Sequence, residues 1–194
     1  MSRAERDKWD ERYRGGAYAE RTHPTALLAD WLERGPRGHA LDVACGAGRN
    51  ALYLAAHGYT VDAIDISSAG LERGRAAADA LGLAIDWHCA DLEEQPDALP
   101  RGPFDLVVWV RYVNAGLWPP LVERLAPGGH LLVEQHLETT AEVVGPSGPR
   151  FRLAPRALER AAAALRVVHY HEGLVVDPDG RTAALAQLIA RRPG

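Results

Sequence analysis

Residues 40–67 read ALDVACGAGRNALYLAAHGYTVDAIDIS, and this stretch decides the fold. A short apolar run, Ala40 to Ala44, predicts a strand that enters a turn holding Gly46 and Gly48. Residues Arg49 to His57 then read as a helix that Gly58 stops, and Tyr59 to Ile64 as a second strand ending on Asp65. This is a βαβ unit with a glycine turn at one strand end and a carboxylate at the next. Glycine allows a turn to press its backbone against a neighbour, because no Cβ stands at the contact. The following helix begins with unpaired N–H groups and the positive end of its dipole, which suit an anionic group. A carboxylate accepts hydrogen bonds only, as a pair of sugar hydroxyls requires.

Outward from this unit, strands and helices alternate. Strands are expected at 39–44, 60–64, 84–89, 104–110 and 130–135, and helices at 49–57, 67–81 and 117–125. Such alternation predicts a parallel sheet covered on both faces. Pro96, Pro100 and Pro103 restrict any helix between the third and fourth strands to a short one. Two helices precede the core, at 3–14 and from Thr25 to Glu33, the second closed by Arg34-Gly35-Pro36. After a helix at 155–164, Leu165 to Val176 and Thr182 to Ala190 read as strands joined by the turn Asp177-Pro178-Asp179-Gly180. The last strand therefore runs antiparallel in a Rossmann-like, doubly wound α/β sheet of seven mostly parallel strands. One domain is expected over residues 1–194, with a helical cap at 1–36 and the core at 37–194.

The 194 residues include 47% apolar ones, enough for a core, and no apolar run reaches the length of a membrane span. With a polar, charged N-terminus, a cytoplasmic protein that does not engage membranes is expected. A formal charge of −4 argues against a nucleic-acid partner, which calls for a basic face. Cys45 and Cys89 form no CxxC pair, and a buried or half-buried position beside the cleft is expected for both. His169 and His171 fall on one strand face, but no third ligand lies near them in the sequence, and no metal site is expected.

The turn also satisfies GxGxxA, the dinucleotide pattern, through Gly46, Gly48 and Ala51, with Asp65 in the place of its ribose acid. Three features point instead to S-adenosylmethionine. They are the acid Asp42 inside the first strand, a further strand-end acid at Asp91, and the terminal hairpin where a dehydrogenase would continue into a substrate domain. On these motifs the chain resembles the class I S-adenosylmethionine-dependent methyltransferases from about Trp9 to Arg191. Further matching segments are ADL at 90–92, FDLVVWVRY at 104–112 and LAPGGHLLVE at 125–134. GRN at 48–50 and WDERY at 9–13 are similar to the small-molecule subgroup around the tellurite-resistance and thiopurine enzymes.

The resemblance implies a cofactor site built from Asp42, Ala44, Gly46, Gly48, Asn50, Asp65, Ile66, Asp91, Leu92, Trp109 and Val110. Within it, Gly46 and Gly48 approach the methionine part, and Asp65 takes the ribose hydroxyls. Asp91 faces the adenine amino group, with Ile66 and Leu92 against the ring. Arg111, Tyr112 and His136, at the carboxyl ends of strands four and five, are the candidate acceptor-side residues. Arg111 would hold an anion, and His136 would act as a base toward a hydroxyl or thiol. The segment from Glu138 to Phe151 would be a lid over the acceptor, with Trp9, Tyr13 and His23 over the cofactor. The expected activity is methyl transfer to a small molecule: a thiol, a chalcogen oxyanion or a hydroxylated metabolite. A nicotinamide-dependent oxidoreductase and a non-catalytic cofactor-binding regulator stand as alternatives, and oligomeric state is left open.

Overall fold

The computed structural model describes residues 3–32 and 37–194. Two helices, α1 (Arg3–Arg14) and α2 (Ala26–Leu32), precede an alternating core: β1 (His39–Val43), α3 (Arg49–Ala56), β2 (Thr60–Asp65), α4 (Ser68–Leu81), β3 (Asp86–Cys89) and β4 (Phe104–Val110). It continues through α5 (Trp118–Arg124), β5 (Leu125–His136), α6 (Ala157–Ala161), β6 (Arg166–Val176) and β7 (Thr182–Arg191). Among the described residues the strands form one sheet in the order β3-β2-β1-β4-β5-β7-β6. β7 is antiparallel to both of its neighbours and the other pairings are parallel. The Rossmann-like expectation, with its antiparallel final strand beside the fifth, is met.

The sequence explains the burial of each strand. β7 lies between two strands under both faces of the sheet, and its inner positions are buried throughout. Its run of Ala, Leu and Ile is broken only by Gln187, as befits a doubly covered strand. β6 forms the edge and alternates loosely, with Val167, Val168, Leu174 and Val176 exposed. One face of the sheet is packed by Leu27 and Leu28 of α2, Ala51 and Leu54 of α3 and Leu71 of α4. The other is packed by Leu117, by Leu121 of α5, and by Leu158 and Ala162 around α6.

Between β3 and β4 the prolines have the expected effect, leaving only a three-residue 3-10 turn at Pro96–Ala98. No helix among the described residues crosses the sheet there, and His39 of β1, Asp62 of β2 and His88 of β3 meet on that side, next to the buried Leu41, Val43 and Ile64. The Asp62 carboxylate bridges His39 Nε2 at 2.6 Å and His88 Nε2 at 2.5 Å. Both imidazoles are about one-third exposed. These three polar side chains stand at the uncovered part of that face.

Three boundaries differ from expectation. β3 begins at Asp86, because Ala84 and Ile85 precede the first residue paired with β2. β5 begins at Leu125, which pairs with Phe104 before a register shift across Pro127-Gly128-Gly129 restores the ladder at His130. α6 is one short turn followed by a 3-10 turn at Ala162–Ala164. The expected end of the second helix at Glu33 to Pro36 lies outside the described residues.

The two glycines of the first turn owe their identity to aromatic rings of this chain. Gly48 caps α3 with φ +76°, and a Cβ there would run into the ring of Trp87 from β3. The Trp87 ring also fills the space where Gly74 of α4 lacks a side chain, 2.6 Å from an ideal Cβ. Gly46 has φ +60° and meets the Tyr13 hydroxyl in the same way. For Gly48→Ala the left-handed backbone costs about 1–2 kcal/mol, and overpacking against Trp87 adds about 1–3 kcal/mol. Denaturant unfolding is expected to register a loss of roughly 2–5 kcal/mol, by those two terms. A loss under about 1 kcal/mol would mean that the ring moves aside freely.

Candidate active site

β1, β2, β3 and β4 are adjacent and parallel, so their carboxyl ends open on one edge, and the order turns back at β1. Open α/β sheets bind ligands at such a reversal. Ala44 and Arg111 continue β1 and β4 with φ +54° and +60°. Non-glycine residues adopt this region rarely, and strained backbone of this kind collects at functional sites. Both chains turn sharply there and keep the edge clear.

Asp42 is buried within β1, and its carboxylate accepts from the Ala51 N–H at 3.0 Å. Gly48 has no side chain to cap α3, so Asp42 supplies the missing acceptor to the third helical residue. Burial pushes its carboxyl up to about 7 against the hydrogen bond and the nearby Arg49 charge. Asn50 points away from the turn, with Oδ1 accepting from the Thr25 N–H at 3.0 Å. Both residues hold the loop from behind.

Asp65 ends β2 and is buried. Its two oxygens accept from the Gly46 N–H and the Ser67 N–H, each at 2.8 Å. Burial raises its pKa, against the pull of these N–H groups. A carboxylate has about four acceptor positions, so Asp65 retains capacity for hydroxyl donors. Ile66 and Leu92 are buried beside it, and Asp91 accepts from the Glu93 N–H at 3.0 Å. Trp109 and Val110 are buried at the end of β4, and the Trp109 Nε1 has no hydrogen-bond partner. Cys45 is buried as expected, whereas Cys89 is exposed, and both are free thiols.

Over this edge lies α1. Asp10 accepts from Ser67 Oγ at 2.7 Å and the Ala69 N–H at 3.1 Å, which fixes α1 on the first turn of α4. The Tyr13 ring comes to rest over Gly46 and Gly70, and its hydroxyl is pushed far up by burial and by the Asp65 charge. Tyr13 thus packs α1 against the glycine turn and the start of α4.

The acceptor-side expectations meet a different arrangement. The Arg111 guanidinium is paired with Glu134 Oε1 at 3.2 Å and Asp177 Oδ1 at 2.7 Å, so it is not a free cation for an anionic acceptor. Glu134 is almost wholly buried, and its other oxygen accepts from Thr25 Oγ1 at 2.7 Å and Gln187 Nε2 at 2.8 Å. This carboxylate joins the N-terminal link, β4, β5 and β7. In the sequence Glu134 is simply the last residue of the segment LAPGGHLLVE. An acid closing the buried run His130 to Val133 was the available signal.

His136 is buried beneath Gly145, whose missing Cβ leaves room for the ring. The loop above it is pinned rather than free. Val144 N–H donates to the Thr182 carbonyl, Arg152 donates to the carbonyls of Pro146 and Leu137, and Arg150 pairs with Glu5 of α1. Burial, Arg111, Arg152 and Arg21 hold the His136 pKa down at about 4, with Asp177 opposing. So weak and covered a base does not fit the expected proton removal, and we assign His136 to packing. Tyr112 is half-buried, accepts from Asn114 Nδ2 at 3.2 Å and is raised to about 12, chiefly by burial. The charges of Glu93, Asp91 and Asp65 add to this upward push.

An imidazole titrates near 6.5 when unfolded. Between pH 6.5 and 4 the unfolded chain therefore takes up the His136 proton before the folded one does, and stability falls with pH. The loss amounts to about 3 kcal/mol at most. Unfolding of His136→Gln at pH 7 and pH 4 is expected to show a smaller drop between them than the parent chain. An identical drop would show that the ring is not held neutral.

Known proteins resemble this chain in sequence and in fold. Residues 40–129 match a family described as a methyltransferase domain. The chain is 30% identical over 169 residues to hemagglutinin 1 of Eikenella corrodens, covering 79% of this chain and 54% of that protein. It is 36% identical over 139 residues to the ribosomal protein L11 methyltransferase of Bordetella parapertussis, covering 67% of this chain and 42% of the relative. The chain thus spans about half the length of the curated relatives it matches. Among solved structures, TehB from Haemophilus influenzae superposes with a TM-score of 0.73 at 21% identity, over 91% of this chain and 66% of that one. The 1,6-didemethyltoxoflavin-N1-methyltransferase of Burkholderia thailandensis, solved with bound S-adenosylhomocysteine, gives 0.70 at 15% identity, over 97% and 87%.

Proposed function

We propose, from the methyltransferase-domain match over residues 40–129 and the fold shared with TehB, that the chain is a class I enzyme that transfers a methyl group from S-adenosylmethionine to a small-molecule acceptor. What supports this reading is that Asp65 holds the Gly46 N–H beside the reversal of the strand order, and that Ala90, directly before Asp91, donates its N–H to the Asp65 carbonyl. Asp65 would take the ribose hydroxyls, and Asp91 the adenine amino group between Ile66 and Leu92. Trp109, Val110 and Ala44 would line the crevice, while Asp42 and Asn50 hold its loop. Tyr112 would stand on the acceptor side.

S-adenosylmethionine brings a methyl already activated on a sulfonium, so the protein's task is orientation and exclusion of water. Tyr13, Ile66, Leu92 and Trp109 supply the covering surface. A dinucleotide reading is disfavoured by the antiparallel β7 inserted between β5 and β6. Among the described residues no helix is long and apolar enough to cross a membrane. Incubation with radiolabelled methyl donor and a panel of thiols, phenols and oxyanions tests the reading. Label in an acceptor supports it, and cofactor binding without any methylated product favours a regulator.

A further inference from the structure

Arg49 opens α3 directly after Gly48 and is half-buried. Its guanidinium donates from Nη1 to the His23 carbonyl at 3.2 Å, and no carboxylate among the described residues pairs with it. The nearby acids are committed elsewhere. Glu134 and Asp177 both hold Arg111, and Asp179 is shared by Arg21 and Arg181. Burial, then the charges of Arg111 and Arg21, push the Arg49 pKa down against Glu134 and Asp177. The residue whose carbonyl Arg49 holds is itself incomplete, since His23 Nδ1 faces the Pro24 carbonyl while Nε2 is buried without a partner. A guanidinium withdrawn from water is normally matched by an anion, because leaving it uncompensated is unfavourable.

We propose that Arg49, held against the backbone of His23, forms an anion subsite just beyond the glycine turn that takes a carboxylate or similar oxyanion. The position, one residue beyond the glycine turn, allows two sources: the methionine carboxylate of the cofactor, or an anionic group on the acceptor. The first source rests on the methyltransferase reading above, and the second does not. A planar guanidinium meets such a group with two parallel hydrogen bonds, which a lysine cannot reproduce.

The test titrates the parent chain, Arg49→Gln and Arg49→Lys with S-adenosylhomocysteine and with 5′-methylthioadenosine, which lacks the amino-acid tail. In parallel, the rise of the melting temperature with sodium sulfate is compared with that in sodium chloride at matched ionic strength. If the cofactor supplies the carboxylate, Arg49→Gln binds S-adenosylhomocysteine at least tenfold more weakly and methylthioadenosine unchanged, with Arg49→Lys in between. If the acceptor supplies it, both nucleosides bind as before, and the sulfate-specific stabilisation of the parent is lost in Arg49→Gln. The proposal is overturned if Arg49→Gln matches the parent with both nucleosides and with sulfate. A parent chain that binds neither nucleoside sinks the methyltransferase reading alone. The sulfate comparison then decides the subsite, and Arg49→Lys serves in every arm if Arg49→Gln does not fold.

Discussion

Replacing Asp65 with alanine is expected to weaken S-adenosylhomocysteine binding at least tenfold and to destabilise the fold at the same time. Hydrogen bonds from ribose hydroxyls to an ionised carboxylate are worth about 1.5–3 kcal/mol, which sets the binding loss. The stability loss has a separate origin. Asp65 also satisfies the buried N–H groups of Gly46 and Ser67, and each buried donor left alone costs about 1–3 kcal/mol. Asn is a poor substitute, because its amide turns a donor toward one of two N–H groups that both need acceptors. Calorimetry gives the first quantity and denaturant unfolding the second. Affinity within twofold of the parent would remove Asp65 from the ligand site.

Glu134→Ala is expected to cost the fold about 3–5 kcal/mol, the usual result of removing one partner from a buried ion pair. The substitution strands the Arg111 guanidinium beside Asp177 alone and leaves Thr25 Oγ1 and Gln187 Nε2 without their acceptor. Because Thr25 also donates its N–H to Asn50 at the start of α3, the loss should spread to the glycine turn. Glu134→Gln keeps one oxygen for these donors and should cost less. An alanine variant within about 1 kcal/mol of the parent in urea unfolding would mean that water replaces the carboxylate.

The contrast between these two acids marks how far the sequence could be read. Asp65 was legible because its place beside the glycine turn follows from local order: an apolar run, a tight turn, a helix and a second apolar run ending on an acid. Each step depends on neighbours in the chain. The same local logic located most of the strands and the antiparallel end of the sheet, since continuous apolar runs and an Asp-Pro-Asp-Gly turn carry their own signal. Glu134 was not legible, because its partners come from residues 25, 111 and 187.

Arg111 failed as an acceptor cation for the same reason. A sequence shows an arginine at a strand end but not the two carboxylates that the fold brings to it. His136 likewise gave no sign that Gly145 would cover it, nor Gly48 that its partner was Trp87. The early start of β5 at Leu125 was hidden by Pro127-Gly128-Gly129, which reads as a turn yet is spanned by the strand through a register shift.

Isothermal titration of the parent chain with S-adenosylhomocysteine, and in a second cell with NADH, tests the central claim most directly. The arrangement of Asp65, Asp91 and the glycine turn predicts saturable binding of S-adenosylhomocysteine at one site per chain and no heat of binding from NADH. Saturable binding of NADH, with S-adenosylhomocysteine silent, would contradict it.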